Sequence, residues 1–148
     1  MKDCVFCKIV KGELPGVKIW EDKEFMAMLG NHPNTEGMTL VLTKKHYDSY
    51  AFDMPKDVYE KLMLASKKVA KMLEKGLKVE RVAMVMEGMG INHTHIKLYP
   101  LHGLTSKFKE MWGDREIYFK NYRGYVTTLE GPKKKIEDLE KVAKKIRK

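Results

Sequence analysis

Apolar positions change period several times along the chain, and each change marks an element. The runs VKIWED (17–22) and FMAML (25–29) read as two strands joined by a short turn at Asp22–Lys23–Glu24. HPNTEG (32–37) is rich in turn formers and reads as a loop. MTLVLTKKH (38–46) is apolar and β-branched, which predicts a third strand ending in a basic cluster. The period then lengthens. Val58, Leu62, Ala65, Val69, Met72 and Leu73 recur at steps of three or four, the spacing of one buried helical stripe. Asp53 is placed to cap this helix, Pro55 suits a first turn with no use for its N–H, and Gly76 is the expected stop. RVAMVMEG (81–88) predicts a buried strand and HTHIKLYP (93–100) the next, ended by Pro100. GYVTTLEG (124–131) is compatible with another strand. Pro132 then opens a helix with Ile136, Leu139, Val142 and Ile146 on one side, read as a helix docking on the core. Meandering strands around one or two helices make an α+β domain.

Length and charge narrow this picture. A chain of 148 residues suits a single domain over residues 1–148 with a real core. No apolar run approaches the ~20 residues of a membrane span, and MKDCVFCKIV lacks the apolar stretch of a signal peptide, so a cytoplasmic protein is expected. The net charge of +9 looks at first like a nucleic-acid footprint. From Pro132 to Lys148, however, eight Lys or Arg stand against three Asp or Glu, so +5 of the excess lies in one segment. Such a segment is more often a solvated helix face than an RNA site, and nucleic acid is not expected as the primary partner. The only cysteines, Cys4 and Cys7, are spaced C-x-x-C. In a cytosolic chain that spacing points to metal or redox chemistry before a structural disulfide.

The stretch GINHTHIKLYP (90–100) carries the densest chemistry. A strand sends alternate side chains to opposite faces, so His93, His95 and Lys97 share one face while Thr94, Ile96 and Leu98 share the other. Alternate positions lie about 7 Å apart at a rise of ~3.3 Å per residue. One face can pack on a core. The other offers nitrogen groups to phosphate or metal, unless the two histidines alternate by chance on an exposed strand. Gly88 and Gly90 just upstream let backbone approach a ligand closely.

HTHIKLYP resembles the H-x-H-x-H-x-x motif of the histidine-triad (HIT) superfamily, with the proline that often follows it. CVFCKIVKGELPGVKIWED resembles the opening of that family, and EGMTLVLTKKH its Gly-His-x-Leu-Val-x-Pro-Lys-x-His block. The resemblance covers about residues 4–103, leaving 104–148 as an extension. It implies a HIT-like meander of antiparallel strands with one main helix, in proteins that usually form homodimers with joined sheets. It also implies a nucleotide or nucleoside-phosphate substrate, and a hydrolase or nucleotidyl transferase acting at the α-phosphate. The middle triad position, here His95, would be the nucleophile and form a nucleotidyl-histidine intermediate. A neighbouring backbone carbonyl would fix its tautomer, and N–H groups near Gly88–Asn92 would stabilise phosphoryl charge.

The same resemblance assigns further residues. Lys97 stands where the third histidine would be. It can meet phosphate as a point charge but is a poor general acid near neutral pH. Gly30 falls where the ribose is usually held, with Asn31 beside it as a substitute. Phe6, Ile9 and Met28 would wall a base pocket, with core packing as their alternative role, and Asn92 lies in the loop expected at the phosphate. Zinc-binding members hold the metal through residues matching Cys4, Cys7, His46 and His93, although Thr43 replaces the proline of the block. That Zn2+ would be structural and closed. The alternative for Cys4 and Cys7 is a thioredoxin-like redox pair, disfavoured because no strand is read before Cys4. Two other readings of the whole stay open: a nucleotide-binding or adaptor protein with little turnover, and an RNA-associated module using the basic tail. Aromatic residues clustered over 104–131 are read as core, dimer contacts or a substrate lid.

Overall fold

The alternation in FMAML and TLVLT buries both faces of the central strands, so the sheet must be covered on two sides. A computed structural model describes residues 4–128, 131–133, 135–136 and 146–147 and shows how this is done. Helix α1 (Val5–Val10) leads into β1 (Lys18–Glu21), β2 (Phe25–Leu29) and β3 (Thr39–Thr43). A 3-10 turn (Ala51–Asp53) precedes α2 (Lys56–Leu77), and β4 (Val82–Val85) and β5 (His95–Pro100) follow. The five strands form one sheet in the order β1-β2-β3-β5-β4, every neighbouring pair antiparallel. This is the α+β meander with one main helix that the sequence predicts. No helix among the described residues is long and apolar enough to cross a membrane.

The two faces have different covers. Phe25, Ala27, Val41, Ile96 and Leu98 pack with Leu62, Ala65, Val69 and Leu73 of α2. The alternate residues Met26, Met28 and Leu42 pack with Phe6 of α1, flanked by Ile9, Val10 and Ile91. Strand β5 obeys the same rule: Ile96 and Leu98 lie on the α2 side, leaving His95 and Lys97 for the α1 side. Helix α1, only six residues long, is too short to show a helical period in the sequence.

Several boundaries differ from expectation for visible reasons. Residues 51–53 close a 3-10 turn, so Pro55 rather than Asp53 occupies the N-cap of α2. Gly76 does not stop the helix. Leu77 continues it, packing against the core over Gly37, where a Cβ would sit 2.3 Å from Leu77 Cδ1. Lys78 ends it in the left-handed conformation, at φ 54°. Met72 is 38% exposed and belongs to the rim of the stripe. The histidine strand begins at His95, because the N–H groups of His93 and Thr94 bond to Ile91 and Tyr47 outside the ladder.

A left-handed residue with a Cβ costs roughly 1–2 kcal/mol, partly offset by the greater chain entropy that glycine brings to the unfolded state. Lys78→Gly is therefore expected to raise stability by about 0.5–1 kcal/mol, seen as a higher denaturation midpoint. A lower midpoint would mean that the lysine side chain contributes more than its backbone costs.

The chain divides into two compact units, Met1–Phe108 and Lys109–Lys148. Residues 109–128 form no helix or strand, so the strand expected from Gly124 is absent as far as Thr128. Leu129 and Glu130 lie outside the described residues, as do Leu139 and Val142 of the expected C-terminal helix. Ile136 and Ile146 are exposed. Phe108, Trp112, Tyr118, Tyr122 and Tyr125 are exposed too, which removes the core reading for them.

Candidate functional site

Helix α1 and the loops flanking α2 and β5 bring four soft donors together. Cys4 is the N-cap of α1 and Cys7 lies one turn on, so the C-x-x-C spacing puts both sulfurs on one side. His93, completely buried, turns Nδ1 toward Cys4 Sγ at 3.3 Å and Cys7 Sγ at 3.6 Å. His46 brings its Nδ1 to 3.4 Å from Cys7 Sγ. One ligand atom from each of Cys4, Cys7, His46 and His93 lies within 4.8 Å of the others, the spread that a single tetrahedral ion can bridge. Outer partners fit the same purpose. His93 Nε2–H donates to the Thr43 carbonyl at 2.8 Å, which leaves Nδ1 as the free lone pair. Burial, reinforced by hydrogen bonding to Cys4 and by its charge, raises the Cys7 thiol above its ordinary range. A cation among the sulfurs would supply the opposite charge this pair lacks. Two thiols and two imidazoles in this arrangement could hold a metal ion.

Two loops are stitched together to hold that cluster. Thr94 N–H donates to the Tyr47 carbonyl and Thr94 Oγ1–H to the Asp48 carbonyl, at 2.8 and 2.6 Å. Asn92 Oδ1 accepts from Ser49 N–H at 2.9 Å, and its Nδ2 donates to Asp48 Oδ1 at 3.0 Å. Asn92, expected at a nucleotide, thus commits its amide to the loop that follows His46. Gly88, at φ 74°, is required here: a Cβ would fall 2.7 Å from the Ser49 carbonyl. The sequence signal for this seam was weak, since Asp, Ser and Asn in loops usually serve local turns.

His95 follows from the same frame. It opens β5 opposite Leu42 and is 6% exposed. Its Nδ1–H donates to the His93 carbonyl at 2.7 Å, so the lone pair is on Nε2. Burial holds its pKa below the ordinary imidazole value; the His93 hydrogen bond opposes this, Lys97 adds to it and Glu87 opposes it. The Phe6 ring meets His95 edge-on at 5.1 Å between centroids and His93 at 5.7 Å. Phe6 therefore packs on both histidines from the α1 side.

Lys97 Nζ lies 3.2 Å from Glu87 Oε2, with the two side chains 28% and 11% exposed. Val85 pairs with Lys97 in the β4–β5 ladder, and the same register carried two residues on sets Glu87 opposite His95. Sequence reasoning missed Glu87. Its signal was an acid just beyond the strand that precedes the histidine strand, legible only once β4 and β5 were known to pair.

The residues expected around a base separate into two groups. Ile9 and Met28 line a cavity of about 390 Å³ with Leu14, Pro15, Gly16 and Met26. Phe6 shares their apolar cluster but contacts the histidines. Asn31 is exposed in the loop after β2. At Gly30 a Cβ would meet Met38 Cε at 2.4 Å, so the Met38 thioether fills the space a side chain would take.

Comparison with known proteins agrees with this frame. Residues 11–104 match the model of the HIT domain family. An uncharacterized HIT-like protein of Methanocaldococcus jannaschii is 33% identical over 115 residues, 73% of this chain and 88% of that protein. The adenosine 5′-monophosphoramidase HNT1 of Saccharomyces cerevisiae is 28% identical over 137 residues, 86% of this chain and 84% of that protein. The crystal structure of a zinc-bound histidine triad family protein from Mycobacterium smegmatis aligns with a TM-score of 0.62 at 27% identity, over 74% of this chain and 84% of that one. With a family match running from just after α1 through the end of β5, and so including the histidine-bearing strand, the chain belongs to the HIT family.

Proposed function

We propose that this protein is a nucleotide-binding hydrolase or nucleotidyl transferase that works at an α-phosphate through His95. The observation that carries this reading is the 2.7 Å hydrogen bond from His95 Nδ1–H to the His93 carbonyl. It fixes the tautomer, so Nε2 presents its lone pair on the face shared with Lys97. In the first step Nε2 forms a bond to phosphorus, the bond from phosphorus to the leaving group breaks, and its electron pair goes with that group. The Nδ1–H stays on the His93 carbonyl and spreads the positive charge the ring acquires. In the second step water, or another acceptor, bonds to phosphorus and the P–Nε2 pair returns to the ring, while water's proton passes to solvent. Lys97 would meet the phosphoryl oxygens, whose negative charge grows during each attack. Ile9 and Met28, lining the cavity beside α1, would receive the base, and Asn31 the sugar.

Cys4, Cys7, His46 and His93 are proposed to hold structural Zn2+, supported by the donor set and by the zinc-bound relative. When bound, that ion would cross-link α1 to the segment before β5 and leave no open coordination position. The chain is proposed to be one HIT-like domain, residues 104–148 being its extension, working in the cytoplasm as a homodimer. An edge strand, β4, beside the histidine strand supports pairing through that edge.

A second reading, a nucleotide-binding or adaptor protein with little turnover, is favoured by one feature: Lys97 paired to Glu87 in place of a third histidine. One experiment separates the two. The protein is incubated with adenosine phosphoramidate, a dinucleoside polyphosphate or a nucleoside diphosphate sugar, then quenched in alkaline denaturant. Intact and fragment masses are expected to show one nucleotidyl group on His95, with mononucleotide in the supernatant. Nucleotide affinity without adduct or mononucleotide would select the binding reading.

A further inference from the structure

Resting on the reading of His95 as nucleophile, we infer that the Lys97–Glu87 pair selects substrates whose leaving group departs as an anion, such as sulfate or a phosphate, over those whose leaving group is an amine. Lys97 lies two residues beyond His95 on the same face of β5, and Glu87 holds its ammonium at 3.2 Å. With one-third or less of either side chain exposed, the ammonium is kept against the sheet beside His95 rather than extended into water. A phosphorus atom bonded to Nε2 would have its remaining substituents within reach of the Lys97 stem, about 7 Å along the strand.

The chemistry of the two leaving groups then differs. In a nucleoside 5′-phosphosulfate, attack by Nε2 makes the N–P bond and breaks the bond from phosphorus to the bridging oxygen. The electron pair stays on that oxygen, sulfate leaves, and no proton is needed. The group that helps most is a fixed positive charge. In a nucleoside 5′-phosphoramidate the departing nitrogen takes the P–N electron pair and must gain a proton to leave as an amine. A lysine ammonium, with an ordinary pKa near ~10.4, gives up its proton far less readily than an imidazolium near ~6.5. Glu87 holds the ammonium in place before substrate arrives, so its charge needs no reorganisation during the reaction. The pair therefore offers most to charge that develops on the departing atom, which is where stabilisation accelerates the reaction.

The test uses adenosine 5′-phosphosulfate and adenosine 5′-phosphoramidate, so that base and ribose contacts cancel in the ratio of their kcat/KM values. General acid catalysis is typically worth ~10²–10⁴-fold, so Lys97→His is expected to move the ratio toward the phosphoramidate by about tenfold or more. Lys97→Gln, neutral and of similar reach, is expected to lower kcat/KM on the phosphosulfate by about tenfold and on the phosphoramidate by less than about threefold, the pattern of a lost charge contact. Glu87→Gln frees the ammonium and is expected to lower kcat on the phosphosulfate while Glu87→Asp restores part of it, a rescue that simple destabilisation would not produce. A ratio unchanged in Lys97→His, or a wild-type protein that prefers the phosphoramidate while forming its adduct on His95, overturns this inference and leaves the nucleophile intact. Absence of any His95 adduct or mononucleotide from both substrates overturns the nucleophile and this inference together.

Discussion

Replacing His95 with alanine is expected to lower mononucleotide release by at least about 10³-fold while changing nucleotide affinity by less than about threefold. The large effect follows from the loss of the atom proposed to bond phosphorus, and removal of a covalent nucleophile typically costs several orders of magnitude. The small effect follows from where binding energy would come from. Ile9, Met28 and their neighbours line the cavity, and Lys97 would supply the charge; none depends on the imidazole for support. Truncation also removes a buried ring packed on Phe6 and leaves the His93 carbonyl without its donor. That loss should cost about 1–3 kcal/mol of stability, well below what unfolds a domain of this size. His95→Asn is the informative companion. Its side chain can still donate to a carbonyl but carries no nucleophilic ring nitrogen, so it should match alanine in rate and exceed it in stability. If His95→Ala keeps more than about a tenth of wild-type release, with no adduct on either protein, phosphorus is not attacked by this residue.

The parts of this fold that were legible in the sequence are those where side-chain period is set by burial. Met26 and Met28 alternate with Phe25 and Ala27 because two covers, α1 and α2, compete for the two faces of β2, and FMAML records that as an unbroken apolar run. The α2 stripe from Val58 to Leu73 records a single cover in the same way. What was not legible depends on partners distant along the chain. Nothing near Glu87 announces Lys97, since the two meet only through the β4–β5 register. Asn92 reads as a ligand contact until Ser49 and Asp48 are seen beside it. Helix α1 has too few residues for a period, and its place is set by Phe6 packing across the sheet. Past Phe108 the aromatic residues carry no period, and Trp112, Tyr118, Tyr122 and Tyr125 are exposed, so burial sets no spacing for them. The four soft donors were legible for another reason. The C-x-x-C spacing left metal and redox chemistry both open, and His46 and His93 entered as partners through the resemblance to the HIT superfamily.

Cys4→Ser is expected to abolish stoichiometric zinc and to lower stability by on the order of 3 kcal/mol, a fall of about 6–12 °C in Tm for a chain of this length. Chelation of the wild-type protein should produce a similar fall, reversed by adding back zinc. The magnitude follows from what the cluster joins. Cys4 and Cys7 sit on α1, His46 follows β3, and His93 precedes β5, so one ion would tie α1 to two segments already joined to each other by the Asn92 and Thr94 bonds and the β3–β5 ladder. Serine keeps the size of the side chain and its place at the N-cap, so a fall in Tm reports the lost ligand rather than a lost cap. His93→Ala would be less clean, because that ring also packs on Phe6 and donates to Thr43. The effect should reach the chemistry as well. The His93 carbonyl is the acceptor that fixes the His95 tautomer, so loosening His93 should lower kcat more than it raises KM. A protein isolated without metal, whose Tm ignores both chelator and Cys4→Ser, would mean that the thiols and imidazoles converge for packing alone.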